Sequence, residues 1–408
     1  MSFALGVILF ALGIGVTIAL HEAGHMVAAR VCGMRVRRYF IGFGPTVWST
    51  TRGHTEYGLK AIPLGGFCDI AGMTVNDPWT EEEEPHLMIN KPAWKRVFVM
   101  MAGILVNIVL GVLIIFGVAV SFGLPDTTPP PQPATAAELV CSPENDKNEA
   151  SCSGDGSAAS SGVRVGDTFR EVDGRSIDEF PDAVAAVQEV GRAAGDGGAR
   201  VGDTVTVPAT VERDGQERNL DLQVELVERE GQTVGAIGVK FAIQPTPNVD
   251  YNPVTAIGGT ADFTWNLGKQ TVEALIDLPQ RYWPVVQSIF GAERPTDSPV
   301  SVVGASHAGG QLVEHEQWMS FLLLLANLNF FLAVFNLVPL PPLDGGHAVI
   351  VIYEKLRDRL RRIRGLEAGG PVDYVKVMPV TYVATAILLV FGLTVIVADV
   401  VNPLQLFP

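Results

Sequence analysis

Four uncharged apolar runs punctuate the chain: Ala4 to Leu20, Val97 to Leu124, Trp318 to Val338 and Val377 to Ala398. A helix needs roughly 20 residues to cross about 30 Å of hydrocarbon, and each run meets or approaches that length. The first continues in helical pattern to Ala29, and the third is broken only by Asn327, Asn329 and Asn336. A cleaved leader carries basic residues ahead of its apolar run, whereas Met1 to Phe3 has none, so the first run is expected to stay as an anchor. Four transmembrane helices are therefore predicted.

Basic residues orient them. Arg30, Arg35, Arg37 and Arg38 follow the first run, Lys91, Lys95 and Arg96 precede the second, and Lys355 with Arg357, Arg359, Arg361, Arg362 and Arg364 lies between the third and fourth. By the positive-inside rule these loops are cytoplasmic, which puts both termini and the segment from Gly123 to His315 outside. Within the cytoplasmic loop, Arg37 to Cys68 reads as short strands with turns near Gly44-Pro45 and Arg52-Gly53. The run Glu81 to Glu84 reads as a solvated helix start, with Thr80 and Glu83 at capping-box spacing.

In the outer segment the period shortens. Thr168 to Val172, Thr204 to Arg213 and Glu217 to Glu228 are predicted strands, the last two joined by Asp214-Gly215, a hairpin signal. Pro181 to Val190 reads as a helix, and Phe263, Leu267, Leu275, Ile276 and Leu278 suggest an amphipathic helix on the outer surface. The strand series after Ser157-Ala-Ala-Ser-Ser-Gly162 resembles a circularly permuted bacterial PDZ domain, whose groove receives an extended chain end at a sheet edge.

Composition sharpens this picture. Of 408 residues 48% are hydrophobic and 18% charged, with a net charge of −15 and mean hydropathy +0.27. That excludes an acidic disordered chain and argues against an ordinary soluble enzyme. A pI near 4.9 gives no basic footprint for nucleic acid. Gly123 to His315 holds 29 acidic and 13 basic residues, so almost all the negative charge belongs to the outer segment. Cys141 and Cys152 share that oxidising side, where a disulfide closing so short a loop would contribute about 3 kcal/mol. Cys32 and Cys68 fall on the reducing side.

The candidate chemistry sits at the cytoplasmic end of the first run, in His21-Glu22-Ala23-Gly24-His25. Histidines at i and i+4 share one helical face, the spacing for two imidazole ligands of one zinc, and Glu22 stands beside them as a candidate base. Three ionisable groups inside a bilayer require a compensating partner. At 1.5 Å per residue His21 lies about 25 Å from Ala4 and about 13 Å from Arg30, below the cytoplasmic membrane surface. The third ligand is sought in Asn336-Leu-Val-Pro339-Leu-Pro341-Pro-Leu-Asp344-Gly-Gly-His347. Its prolines end the third helix and leave irregular backbone at membrane depth, which is tolerated only beside protein or a cavity. Asp344 is the favoured ligand and His347 the alternative, and Gly345-Gly346 would let another chain approach. His54, His86, His307 and His315 are read as solvated loop residues.

HEAGH on the first span, paired with NLVPLPPLDGGH after a later one, resembles the site-2 protease family of intramembrane zinc metalloproteases. The likeness extends over Tyr39-Phe-Ile-Gly42-Phe43-Gly44-Pro45, Pro63-Leu-Gly-Gly-Phe67 and Lys91 to Asn107, and is strongest to actinobacterial members with one outer PDZ domain. Gly103-Ile104 departs from the Gly-Pro that relatives often carry, which leaves the bend of the second span open. The resemblance implies one zinc held by His21, His25 and Asp344, with Glu22 as general base. It also implies substrate contacts from Asn336, Pro339 and Pro341 and from the membrane-dipping sheet around Gly42, Phe43 and Gly44, whose edge could pair with an unwound substrate.

The expected protein is a polytopic α-helical membrane protein with a membrane-associated β-loop and an extracytoplasmic α/β PDZ domain. Its regions are 1–124 (membrane, β-loop about 35–70), 125–243 (PDZ), 244–316 (linker with amphipathic helix) and 317–408 (membrane). By resemblance it makes the second cut in single-pass substrates, such as anti-sigma factors already trimmed by an upstream site-1 protease, and releases the product to the cytoplasm. The outer domain would bind the freed end or exclude bulky ectodomains. A zinc transporter or an inactive PDZ scaffold is the competing expectation. The former is weakened by four spans and no His-rich loop, the latter by the intact Glu22 and ligand set.

Overall fold

The computed structural model describes the chain except residues 127–130, 142–155, 230–231, 245–246, 293, 296, 368 and 408, and describes 63–64 by backbone alone. It forms two compact units, Met1–Thr127 with Asn248–Pro408, and Thr128–Pro247. In chain order the elements are α1 (Ser2–Val31), β1 (Val36–Arg52), β2 (Thr55–Ile70), α2 (Ala93–Phe122), β3 (Leu124–Pro125), β4 (Ala136–Leu139), α3 (Gly156–Ser160), β5 (Thr168–Val172), β6 (Arg175–Ser176) and α4 (Phe180–Asp196). There follow β7 (Thr204–Arg213), β8 (Gln216–Arg229), β9 (Gln232–Ala236), β10 (Val239–Phe241), β11 (Asn248–Val249), α5 (Thr255–Ile289), α6 (Val302–Glu314), α7 (Trp318–Leu337), α8 (Asp344–Ile363) and α9 (Tyr374–Val401).

Helices α1, α2, α7 and α9 are long and apolar enough to cross a membrane, with mean hydropathies of 2.6, 2.8, 1.9 and 2.5. The chain is a multi-pass membrane protein. Helix α7 stops at Leu337 because Pro339, Pro341 and Pro342 cannot continue it. Helix α8 then starts on Asp344 and ends over Arg361 and Arg362, charges that suit the two ends of its dipole. Between α1 and α2, β1 and β2 make one hairpin of bent strands. Val36–Ile41 pairs with Gly66–Ile70 on one side and with residues 56–59 on the other, and Trp48–Arg52 completes the order against Thr55–Leu59.

Buried clusters at the two ends of α1 and one between α2, α5 and α7 help hold the first unit. Ala28 and Ala29 pack with Val99, Met100 and Ala102 of α2 and Ala348 of α8. Phe10 and Ile14 pack with α6 and Phe321 of α7. Ile115 and Val118 of α2 pack with Ala256 of α5 and Ala326 and Phe330 of α7.

The second unit is built on a sheet of order β6-β5-β7-β8-β9 with α4 across it. Its hairpin turn, Asp214-Gly215, has φ of 54° and 75°, as the twist of flanking strands favours in a two-residue turn. Buried Asp167 accepts Arg213 Nε and Nη2 at 2.6 Å and Arg164 N at 2.8 Å. Burial alone would raise its pKa, but these donors hold it below the usual range.

Several expectations need correction. Glu83 is not solvated: it is buried and receives Arg37 Nε at 2.8 Å and Nη2 at 2.9 Å, which hold its pKa at about 2. His307 is not in a polar loop but in α6, edge-on to Phe3. Leu124, expected in the second span, begins β3. The stretch 244–316 contains α5 and α6, both parts of the first unit. In α6 the Gly309-Gly310 pair makes a close helix contact, since side chains there would strike Phe10, Val7 and Phe3 of α1.

Candidate metal centre

Within α1, His21 and His25 stand one turn apart on the face turned towards α2. Gly24, also on that face, lets α2 approach so closely that a Cβ there would lie 2.8 Å from the Ala102 carbonyl oxygen. The next residue of α2, Gly103, leaves room for the two imidazoles, because a Cβ there would strike both rings. His25 Nδ1 is 2.8 Å from the Val99 carbonyl, so that nitrogen donates and Nε2 is turned inward as a lone pair.

Asp344 enters from the first turn of α8. Its Oδ2 lies 3.2 Å from His21 Nε2 and 3.3 Å from His25 Nε2, and the two Nε2 atoms are 3.2 Å apart. Asp344 Oδ2 receives no hydrogen bond, and His21 Nδ1 is likewise buried without a partner. Ligands about 2.0–2.1 Å from a tetrahedral ion stand about 3.3 Å from one another, so the three atoms have the separations of a closed triangular face around one metal. His21, His25 and Asp344 form a group with metal-binding geometry among the described residues. His347, the alternative ligand, turns its Nδ1 to the Tyr374 hydroxyl at 3.3 Å and stacks on that ring.

The loop before Asp344 is braced from behind. A Cβ on Gly345 would strike the backbone of Leu337 and Val338, and one on Gly346 that of Leu340 and Pro341. These glycines serve the protein's own chain reversal, not the approach of a second chain. Ten residues along α8, Glu354 Oε2 receives Arg96 Nη1 of α2 at 2.6 Å, both side chains being buried, and Glu354 Oε1 accepts Val372 N at 2.7 Å. Helix α2 therefore holds His25 through Val99 and steadies the helix that carries Asp344.

Glu22 faces the other way, towards the sheet. A Cβ on Gly66 of β2 would come within 3.0 Å of Glu22 Cγ. Tyr39 of β1 donates its hydroxyl to the Ala19 carbonyl at 2.7 Å, fixing the sheet against α1 at this level. Gly42, Phe43 and Gly44 form the bend of β1. Both glycines have positive φ, and the half-exposed Phe43 ring fills the place of a side chain on Gly65. They adjoin the Glu22 side through Gly65-Gly66 and are not part of the three-ligand group.

Asn336 is half-buried and donates Nδ2 to the Leu332 carbonyl at 2.9 Å, while Pro339 is exposed and Pro341 half-buried in the loop that follows. One turn from His21, Thr17 Oγ1 receives Asn329 Nδ2 at 3.3 Å, a polar contact between α1 and α7 that spacing alone did not reveal. Cys141 is disulfide-bonded, and Cys152 lies outside the described residues.

Residues 9–380 match the sequence model described as Peptidase family M50. The chain is similar over its whole length to zinc metalloprotease Rip1 of Mycolicibacterium smegmatis, 43% identical over 422 residues, with both chains fully covered. It is 41% identical over 420 residues to zinc metalloprotease Rip1 of Mycobacterium tuberculosis, again with full coverage of both. Metalloprotease MmpA of Caulobacter vibrioides is 27% identical over 387 residues, 89% of each chain.

Proposed function

The chain belongs to peptidase family M50 and is a membrane metalloprotease, and from that premise we propose that it cuts single-pass membrane proteins within the bilayer at a zinc held by His21, His25 and Asp344. The observation that carries this is the convergence of three ligand atoms, 3.2–3.3 Å apart, with no hydrogen-bond donor on Asp344 Oδ2. Two borderline nitrogens and one carboxylate suit zinc and leave a fourth position open. Bound there, zinc would supply Lewis acidity and lower the pKa of water towards neutrality.

Glu22 is the proton carrier in this reading. It stands between the two histidines in sequence but on the sheet side, so it can take a proton from water and pass it to the departing amine without being a ligand. A helical substrate hides its peptide bonds and must be held extended to be cut. The edge segment Gly66–Ile70 pairs on one side only among the described residues and abuts Glu22 at Gly66, which supports its use as the template for an unwound chain. Asn336 keeps its amide oxygen and a second N–H for the substrate backbone, beside Pro339 and Pro341.

The topology follows the basic loops: both termini and the Thr128–Pro247 unit outside, the metal centre nearer the cytoplasmic side. That unit is read as a PDZ domain. Its support is a cavity of about 280 Å³ between α4 and the segment from Val234 to Phe241, with Cys141 in the lining. The substrate would be a trimmed single-pass protein such as an anti-sigma factor, left by an upstream site-1 protease, and the cytoplasmic product would carry the signal.

The test replaces Glu22 with Gln in the full chain in membranes and follows a single-pass client lacking its outer domain. Loss of cleavage with zinc retained is the expected result. Continued cleavage would remove the mechanism.

A further inference from the structure

We propose that the second half of α8 lies along the cytoplasmic face of the bilayer and binds anionic phospholipid headgroups, and that this contact steadies the helix whose first residue is Asp344, an inference that rests on the topology and the metal centre proposed above. Helix α8 changes character halfway. Its buried residues, Gly345, Gly346, Ala348, Val351 and Glu354, end at Glu354, and from Lys355 to Ile363 none is buried. Its apolar pattern does not stop there. Val349, Ile352, Leu356, Leu360 and Ile363 follow at three- and four-residue steps along one face, and all five are exposed. An apolar stripe that outlasts the helix's contact with the protein needs another apolar neighbour.

The level of the bilayer surface identifies that neighbour. Trp94 at the start of α2 is exposed, with Lys95 Nζ 5.6 Å from its ring centroid, an aromatic and basic pair of the kind that marks a membrane interface. The next residue, Arg96, donates to Glu354 of α8 at 2.6 Å, so Glu354 sits at about that depth. A helix leaving the bilayer upright would carry Ile363 about 13 Å further into water, although Leu360 and Ile363 are 49% and 75% exposed. Laid along the surface, the same stripe meets acyl chains.

Charge selects the headgroup. Lys355, Arg359 and Arg362, at i, i+4 and i+7, form a second stripe about 90° round the helix from the apolar one. From that flank a long basic side chain lays its stem on hydrocarbon and brings its charge to the phosphates. All three are exposed, and among the described residues none of their side chains has a hydrogen bond or an ion pair. Arg357 and Arg361 are instead used within the chain, the first on Asp358 and the Gly370 carbonyl, the second on the Glu367 carbonyl at 2.7 Å. Asp358, the acidic residue of this half, falls on the side away from the apolar stripe. Three unpaired cations beside an apolar face complement a surface of net negative charge.

The test places a photo-crosslinking residue at Ile363 in the full chain carrying E22Q, in nanodiscs of phosphatidylcholine with about 30% phosphatidylglycerol. Lipid captured there should be enriched several-fold in phosphatidylglycerol over its share of the bilayer. K355Q, R359Q and R362Q together should return the captured ratio to that of the bilayer, since each such charge favours anionic lipid by about fivefold. Zinc affinity, titrated against a metal buffer, should be about tenfold tighter with phosphatidylglycerol than without it, and the triple variant should lose that difference. Capture of the two lipids in their bilayer ratio, capture of protein in place of lipid, or an unchanged ratio in the triple variant would overturn the proposal. Equal zinc affinity in the two bilayers would overturn the coupling to Asp344. Lipid capture is read without metal or cleavage, so failure of the protease reading, seen as cleavage by E22Q or as no zinc bound in either bilayer, is a separate result.

Discussion

Two carboxylates in the first unit, each with a buried oxygen, are furnished in opposite ways. Asp399 near the end of α9 is 3% exposed and accepts Arg294 Nη2 at 2.6 Å, Ser301 N at 2.7 Å and Gly304 N at 3.1 Å. Arg294 is in turn held on the carbonyls of Pro299 and Asn402. Asp344 meets two imidazole nitrogens at 3.2–3.3 Å, and its Oδ2 has no hydrogen-bond donor. A buried carboxylate surrounded by donors is already neutralised and can only hold the fold. One that faces lone pairs is unsatisfied until a cation arrives. The charge is the same in both places, and although the Asp344 side chain keeps 19% of its surface its Oδ2 is buried, so the surroundings decide which is structural and which is chemical.

The comparison breaks most visibly when each carboxylate is neutralised. Asp344→Asn should reduce bound zinc to near zero and cleavage to background, with little effect on thermal stability measured in chelator. Asp399→Asn should do the reverse, since it leaves Arg294 buried and unpaired. The expected cost is about 3–5 kcal/mol, read as a drop in Tm, with zinc per folded molecule unchanged. Full zinc occupancy in the Asp344 variant would end the distinction.

Much of this was legible in the sequence because it rests on short-range periodicity. The i, i+4 spacing put His21 and His25 on one face, and β7 was delimited by its alternation and the Asp214-Gly215 turn. What stayed hidden depends on distant partners. The choice between Asp344 and His347 needed Tyr374, 27 residues further on, to occupy the histidine. Helix α6 lay within the stretch expected as a linker, and contact with Phe10 of α1 explains the glycine pair Gly309-Gly310 in a helix there. Glu83 looked solvated because its partner, Arg37, is 46 residues earlier. The Gly103-Ile104 departure concerned a bend in α2, whereas the structure gives Gly103 a different task, clearance for the imidazoles.

That task supplies a smaller test of the same contrast. Gly103→Ala should push the rings apart and weaken zinc affinity by about 10–100-fold, the range typical when groups around ligands are disturbed. Gly117→Ala on the same helix, where a Cβ has nothing within 4 Å, is the control and should leave affinity unchanged. Titration against a metal buffer measures both. Equal affinities would mean that α2 yields at Gly103 without moving the histidines.

Glu83 is an intermediate case outside the spans, a carboxylate satisfied by Arg37 and by Thr80 N at 3.1 Å. The Arg37 hydrogen bonds hold its pKa at about 2, below the ordinary 4.5. Its folded pKa is depressed, so the stability it contributes is complete above about pH 4.5 and is lost as pH falls through about 2. Arg37 lies on β1, and Asp77, which also accepts Arg37 at 3.1 Å, receives Gly72 N at 2.7 Å, so the pair ties the loop after β2 to the sheet beside Glu22. Glu83→Gln should lower Tm at neutral pH and flatten its decline between about pH 4.5 and 2. Glu81→Gln, at an exposed position in the same acidic run, should leave the slope as it is. If both variants keep the wild-type slope, the pairing with Arg37 carries no stability, and Glu83 would belong with the solvated charges it resembled in the sequence.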